Sequence, residues 1–287
     1  MGRTGGMGRT GAVVAVCLAL CTLAAHLRAD LDRYEVYAVR FATLANFPVS
    51  SLVAGADRSR RMDIAMMIWV LKGIDGRTAI VDSGFHRDRY FTQFTVKDFI
   101  KPSDAIAPLG IKPDDVTDLL LSHMHWDHAG GIDLFPKARI WVQKEEFDYY
   151  VGEAWQSVRT HGGIDAEDVL ELVKRNTEGR VSFVRGEDDS SLSGIAFGIG
   201  GKHTFASQFF VVSTRRHDVV IASDNMYLYE NMDSHTAIAQ TLDAVSNLRT
   251  QDRMKSLATE SRLLLPGHDP AVFARFPHVS DRIVRIE

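Results

Sequence analysis

From residue 34 onward, short apolar runs alternate with turn signals and helical stretches. Residues 34–41 alternate as a strand does, and 64–71 form an unbroken apolar run. Lys72-Gly73-Ile74-Asp75-Gly76-Arg77 reads as a hairpin turn, with the return strand at 78–81. Further strands are expected at 116–122, 138–142, 181–184, 195–198, 208–213, 219–222 and 263–265, with a closing strand at 282–286. Helices are expected at 103–109 with Ser103 as cap, at 144–150, around 166–175, and at 238–248. The acidic Glu187-Asp188-Asp189 reads as a solvated turn. No low-complexity linker interrupts residues 30–287, so the pattern predicts one layered α/β domain.

The first residues differ in kind. Arg3 and Arg9 precede the apolar segment 11–25, which is followed by His26-Leu27-Arg28-Ala29-Asp30. A positive start and an apolar run too short for a comfortable membrane span describe a secretory signal peptide, expected over 1–29. The mature domain would then be 30–287, secreted or periplasmic, or membrane-anchored if the segment is not cleaved. Both cysteines, Cys17 and Cys21, lie in this segment, so the mature domain has neither a disulfide nor a thiolate ligand to offer a metal. The chain carries 33 basic and 37 acidic residues, a formal charge of −4. Loss of the three residues Arg3, Arg9 and Arg28 takes the charge from −4 to −7. With no basic stripe, nucleic acid is not expected as a partner. The oligomeric state is left open.

The candidate chemistry is concentrated in Ser122-His123-Met124-His125-Trp126-Asp127-His128, directly after the apolar Leu119-Leu120-Leu121. In an extended segment residues two apart share a face, so His123 and His125 can converge on one ion, while a turn into helix sends Asp127 and His128 elsewhere. Imidazole and carboxylate suit zinc and other borderline divalent metals. Three more positions sit at strand-to-loop junctions: His203 after Gly200-Gly201-Lys202, Asp224 at the end of the run from Val219, and His268 in Leu265-Pro266-Gly267-His268-Asp269. Singly each reads as a turn residue; together they extend the cluster to seven.

With these residues the chain resembles the metallo-β-lactamase-fold hydrolases over roughly residues 34–287. The resemblance implies a four-layer αβ/βα sandwich with a dinuclear metal site at one edge. It implies that His123, His125 and His203 hold a first metal, that Asp127, His128 and His268 hold a second, and that Asp224 bridges both. The cofactors would be two zinc ions or other divalent metals. Asp82, in Ile80-Val81-Asp82-Ser83-Gly84, matches an early turn of the family and would orient ligands rather than bind metal. The implied reaction is attack on a carbonyl by metal-bridged hydroxide, with Asp127 accepting and returning a proton.

Within that family the chain is most similar to the N-acyl homoserine lactonase-like branch. Asp224 disfavours the dinuclear β-lactamases, which lack a carboxylate there, and His125 disfavours flavodiiron proteins. Only nineteen residues follow His268, fewer than the helical C-terminal domain of glutathione-thioester hydrolases needs. Tyr227, three residues after Asp224, matches the phenol that stabilises the oxyanion in that branch, with Tyr229 as competitor. The usual His-Thr-Pro-Gly-His is here His203-Thr204-Phe205-Ala206-Ser207, a departure from the pattern. The implied substrate is a small lactone or ester, foremost an N-acyl homoserine lactone. The alternatives are another hydrolase of the same fold, acting on a carboxyl ester, thioester or β-lactam, and a metal-binding protein without catalysis. Phe47-Pro48, residues 62–67, Trp126, Tyr149, Tyr150 and Trp155 are candidates for an acyl pocket, each read first as core.

Overall fold

The computed structural model describes Met1 and residues 33–286, without the side chains of 189 and 190. The expected signal peptide therefore lies outside the described residues, apart from Met1. Fourteen strands form two sheets among the described residues. The larger sheet contains β1 (Tyr34–Pro48), β2 (Arg61–Gly73), β3 (Thr78–Val81), β4 (Val96–Lys97), β5 (Asp118–Leu120), β6 (Arg139–Gln143), β7 (Val181–Val184), β13 (His278–Ser280) and β14 (Ile283–Arg285). Its order is β13-β14-β1-β2-β3-β5-β6-β7, with β4 paired to β1. The smaller sheet, β12-β11-β10-β9-β8, contains β8 (Asp188–Leu192), β9 (Ile195–Ile199), β10 (Gln208–Ser213), β11 (Asp218–Ser223) and β12 (Leu264–Pro266).

Strand alternation builds the layers. Along β2, Ile64, Met66, Ile68 and Val70 enter the core between the larger sheet and its covering helices. Their neighbours Ala65, Met67, Trp69 and Leu71 enter the core between the two sheets. This two-sided burial is why the run carries no polar alternation. In the smaller sheet, Phe210, Val212, Val219, Ile221 and Leu265 share the inter-sheet core, whereas Phe209, Val220, Ala222 and Leu264 pack with Met254 of the helix Ala244–Leu257. Helices, sheet, sheet and helix are thus stacked as an αβ/βα sandwich, the expected fold class.

Several boundaries differ from expectation. The acidic turn at 187–189 instead leads into β8: Asp188 begins the strand paired to β9, and Glu187 forms an ion pair with Arg253. The helix expected at 238–248 runs Ala244–Leu257, because Asp243 caps it by accepting from Val245 N and Ser246 N at 3.0 and 3.1 Å. Ile238 is buried and bridges Val53. The strand expected at 116–122 narrows to Asp118–Leu120, and β4 and β13 are short edge elements without an apolar run to announce them. Among the described residues no helix is long and apolar enough to cross a membrane.

Strands β3, β5, β6 and β7 are parallel neighbours, as are β11 and β12. Parallel neighbours end on the same edge, so the turns after β3 and β5 and those after β11 and β12 are the natural carriers of a shared site.

Candidate metal centre

The apolar run Leu119-Leu120-Leu121 ends at Ser122, and the chain passes through His123 and His125 before the short helix Trp126–Ala129 begins. His203 lies in the loop before β10, Asp224 follows β11, and His268 follows β12. The close packing of these turns requires glycine: a Cβ on Gly267 would lie 2.5 Å from Asp224 Oδ1. All seven expected side chains converge. Candidate ligand atoms of His123, His125, His203 and Asp224 form one group, and those of Asp127, His128 and His268 another, each within 4.8 Å across. Asp224 lies between the groups, with Oδ2 3.3 Å from both His203 Nε2 and His128 Nε2, and Oδ1 3.0 Å from His268 Nε2.

Hydrogen bonds behind the imidazoles fix which nitrogen faces inward. The carbonyls of Gln240 and Ala65 accept from Nδ1 of His203 and His268 at 2.8 and 3.0 Å, and the Asp82 carboxylate accepts from His128 Nδ1 at 2.8 Å. Ser122 Oγ gives its proton to Asp82, so it accepts from His123 Nδ1 at 2.9 Å. In each neutral ring the inward Nε2 is then a bare lone pair. His123 Nε2, His125 Nδ1 and His203 Nε2 stand 2.8–3.1 Å apart, three acceptors crowded around one point. His128 Nε2 and Asp224 Oδ1 are buried without a hydrogen-bond partner among the described residues. Crowded lone pairs and orphaned acceptors are costly unless a cation occupies the point between them. The donor set therefore fits a metal.

The electrostatics agree. Burial, reinforced by neighbouring imidazoles, holds His123 and His125 well below the usual histidine range, and so neutral. Burial would also lower His128 and His268, but the carboxylates of Asp224 and Asp127 outweigh it and raise both. Asp224 is driven well below the usual carboxylate range because His128 and His268 overcome its burial. Burial raises the carboxyl of Asp127. The cluster draws positive charge, which a divalent cation supplies.

Asp82 does what was expected of it, from a left-handed backbone at φ 61°. Its Oδ1 accepts from Ser122 N at 2.8 Å, and its Oδ2 accepts from Ser122 Oγ, Ser223 Oγ and His128 Nδ1. Glu146 was not anticipated. Fully buried on the helix Lys144–Val151, it accepts from Met124 N at 3.1 Å, Thr204 Oγ1 at 2.7 Å and Ala206 N at 2.6 Å. It thereby ties the His123–His125 turn to the His203 loop, and burial raises its carboxyl. Ser207 Oγ donates to Asn225 Oδ1 at 3.0 Å, and Phe205 stacks on Tyr149 at 4.0 Å. These contacts hold the loop that lacks the family's Pro-Gly turn. The only sequence signal for Glu146 and Asn225 was a polar residue beside apolar runs.

A cleft of ≈ 450 Å³ lies elsewhere, but the one at this centre, ≈ 240 Å³, is lined by His125, Asp127, Asp224, Tyr227 and His268 on its polar side. Leu44, Phe47, Leu52, Ile64, Phe94 and Trp126 form its apolar wall, with Gln93 and Gln240 at its margin. Trp126 is stacked between Tyr90 at 4.1 Å and Phe94 at 5.0 Å. Of the anticipated pocket segments, Phe47, Ile64 of the 62–67 stretch and Trp126 line the cleft; Met66, Met67 and Tyr150 are core, and Met62, Tyr149 and Trp155 are partly buried against it. Tyr227 Oη is 3.4 Å from His203 Nδ1, whose proton already serves Gln240. Tyr229 turns away into the inter-sheet core under Arg275, which removes it as a competitor.

The profile of the metallo-beta-lactamase superfamily matches residues 65–273, most of the chain and all seven converging residues. The chain belongs to that superfamily. N-acyl homoserine lactonase AttM of Rhizobium johnstonii is 26% identical over 180 residues, covering 60% of this chain and 65% of AttM. The chain thus spans a little under two thirds of that relative's length. N-acyl homoserine lactonase AiiB of Agrobacterium fabrum is 32% identical over 101 residues, 31% of this chain and 36% of AiiB. Among solved structures, a quorum-quenching N-acyl homoserine lactone lactonase superposes with TM-score 0.67 at 19% identity, covering 84% of this chain and 94% of that one. AidC, a dizinc quorum-quenching lactonase in complex with a product, superposes with TM-score 0.62 at 15% identity over 84% and 92%. The family match and the His/Asp cluster together mark this as a site suited to metal.

Proposed function

We propose that the chain is a dinuclear metal-dependent lactonase, acting on N-acyl homoserine lactones, with zinc as its metal. The observation that carries this reading is the two-part donor set divided by Asp224, opening onto a cleft with one apolar wall and one phenol. Metal group one would be His123, His125 and His203, and group two Asp127, His128 and His268, with Asp224 shared. Bound divalent ions would supply Lewis acidity and water activated near neutral pH. The residues supply the rest. Tyr227 Oη, held only at 3.4 Å by His203, is available to donate to a substrate carbonyl oxygen as negative charge develops there. Asp127, at the cleft and with its carboxyl raised, takes the proton from the attacking water and returns it to the leaving alkoxide. Phe47, Phe94 and Trp126 exclude water and take the acyl chain.

We also propose, from Arg3, Arg9 and the apolar segment 11–25, that residues 1–29 are an export signal and that the enzyme acts outside the cytoplasm; N-terminal sequencing of periplasmic or secreted protein checks this. The functional test is metal analysis combined with a substrate panel followed by acid release. The expected result is about two ions per chain, with ring opening abolished in Asp224→Ala and His123→Ala. One ion or none overturns the dinuclear centre. Faster turnover of β-lactams or thioesters than of any lactone overturns the substrate.

A further inference from the structure

A cluster of arginines lies at the other end of the sandwich. Strands β11 and β12 end at the metal centre; where they begin, a cavity of ≈ 450 Å³ is lined by Arg215, Arg216, Arg262, Arg275 and Arg285, with Glu35 as its only carboxylate among the described residues. Glu35 is already engaged by Arg285 at 3.1 Å, and Arg262 leans on Glu260 through Nε at 2.7 Å. Arg215, Arg216 and Arg275 have no carboxylate partner among the described residues, in a chain whose formal charge is −4.

These guanidinium groups have a built frame. Arg33 Nη1 donates to the carbonyls of Thr214 and Arg215 at 3.2 and 2.7 Å, and Thr214 Oγ1 accepts from the backbone N–H of Arg216 and His217 at 3.3 and 3.1 Å. The turn presenting Arg215 and Arg216 is therefore pinned at both ends. Arg275 is laid over the Tyr229 ring with its guanidinium carbon 3.6 Å from the centroid, which fixes its plane. Three cations without a carboxylate partner among the described residues favour a multiply charged anion, and planar guanidinium forks match phosphate oxygens in pairs. Phe276 and Ile286 give the cavity an apolar side, suited to an organic group attached to the phosphate.

We infer that this cavity is a binding site for a phosphate ester, remote from and independent of the metal centre. Two sources carry that chemistry, a small soluble phosphate ester and the headgroup of an anionic phospholipid. The experiment uses the full chain in phosphate-free buffer at low salt. Calorimetry with inorganic phosphate and with glycerol 3-phosphate tests the soluble source. Flotation with vesicles of phosphatidylcholine, alone or with added phosphatidylglycerol, tests the lipid source. The variants are Arg215→Ser/Arg216→Ser and, separately, Arg275→Gln; all three residues are exposed, and thermal melts verify folding. Binding to the soluble esters that weakens roughly tenfold or more in both variants supports the site and assigns the free ester. Phosphatidylglycerol-dependent flotation lost in both variants supports it and assigns the headgroup. No binding in either arm, or binding unchanged in the variants, overturns the inference. Attachment through the N-terminal apolar segment would persist on phosphatidylcholine alone and in both variants, so it counts against it.

Discussion

Glu146 offers the sharpest test of how the centre is held together. Its carboxylate accepts three hydrogen bonds, two from backbone N–H groups and one from Thr204 Oγ1, with no exposure to water. Glu146→Ala leaves three buried donors unsatisfied, at about 1–3 kcal/mol each. The total, about 3–9 kcal/mol, rivals the stability of a typical domain, so this variant reports mainly on folding. Glu146→Gln is the informative change. Its amide oxygen can replace Oε1 toward Met124 and Thr204, but its NH₂ then meets the Ala206 N–H, donor against donor. One bond is lost and one repulsion gained, about 1–3 kcal/mol. Because Met124 separates His123 from His125 and Thr204 follows His203, slackening this tie lets the imidazoles drift apart, and zinc affinity should fall 10- to 100-fold. The assays are urea unfolding of metal-free protein and competition for zinc against a chromophoric chelator. If stability falls while zinc affinity stays within twofold of the parent, Glu146 is a stability residue only and the positioning role is refuted.

Tyr227→Phe should lower lactone turnover by about 10²-fold with little change in metal content; unchanged turnover, measured by acid release, removes the phenol from the reaction. Phe94→Ala opens the apolar wall beside Trp126, and at about 0.8 kcal/mol per buried CH₂ the KM for long-chain substrates should rise about tenfold while that for short-chain ones holds. A uniform rise across chain lengths would contradict that placement. Asp168, buried against Arg87, is pushed up to about 7 because burial outweighs the guanidinium. The folded state then holds a proton there that the unfolded chain releases near pH 4, so this group's contribution to stability is full below that pH and is lost as pH rises through about 7. Urea unfolding from pH 4.5 to 7.5 should show a downward component, at most about 1.4 kcal/mol per pH unit, that Asp168→Asn lacks; identical pH profiles would falsify the assignment.

How much the sequence disclosed depended on the kind of information each feature uses. The apolar run of β2 was legible because burial on both faces leaves no polar alternation. The seven converging residues were legible because four nitrogen and oxygen donors packed into six positions at a strand end suit metal ligation and little else. Glu146 and Phe94 were not. Each acts through partners 22 or more residues away, Met124 and Thr204 for one and Trp126 for the other, and nothing local marks such pairings. The helix after Asp243 was misplaced because Ile238 continues its apolar periodicity backwards, and only the bridge to Val53 shows that residue serving a different partner. The strand β8 was hidden by its acidic start, since an edge strand needs just one apolar face.

The division of the seven residues between the two sheets gives the centre a mechanical character. His123, His125, Asp127 and His128 follow β5 of the larger sheet, whereas His203, Asp224 and His268 belong to loops flanking the smaller one. Neither half alone carries a complete set for either group, so tight chelation exists only once the sheets have docked. Bound ions would then act as rivets across the sandwich. Their binding free energy appears as resistance to prying the halves apart, and chelator-stripped protein should part along that seam first.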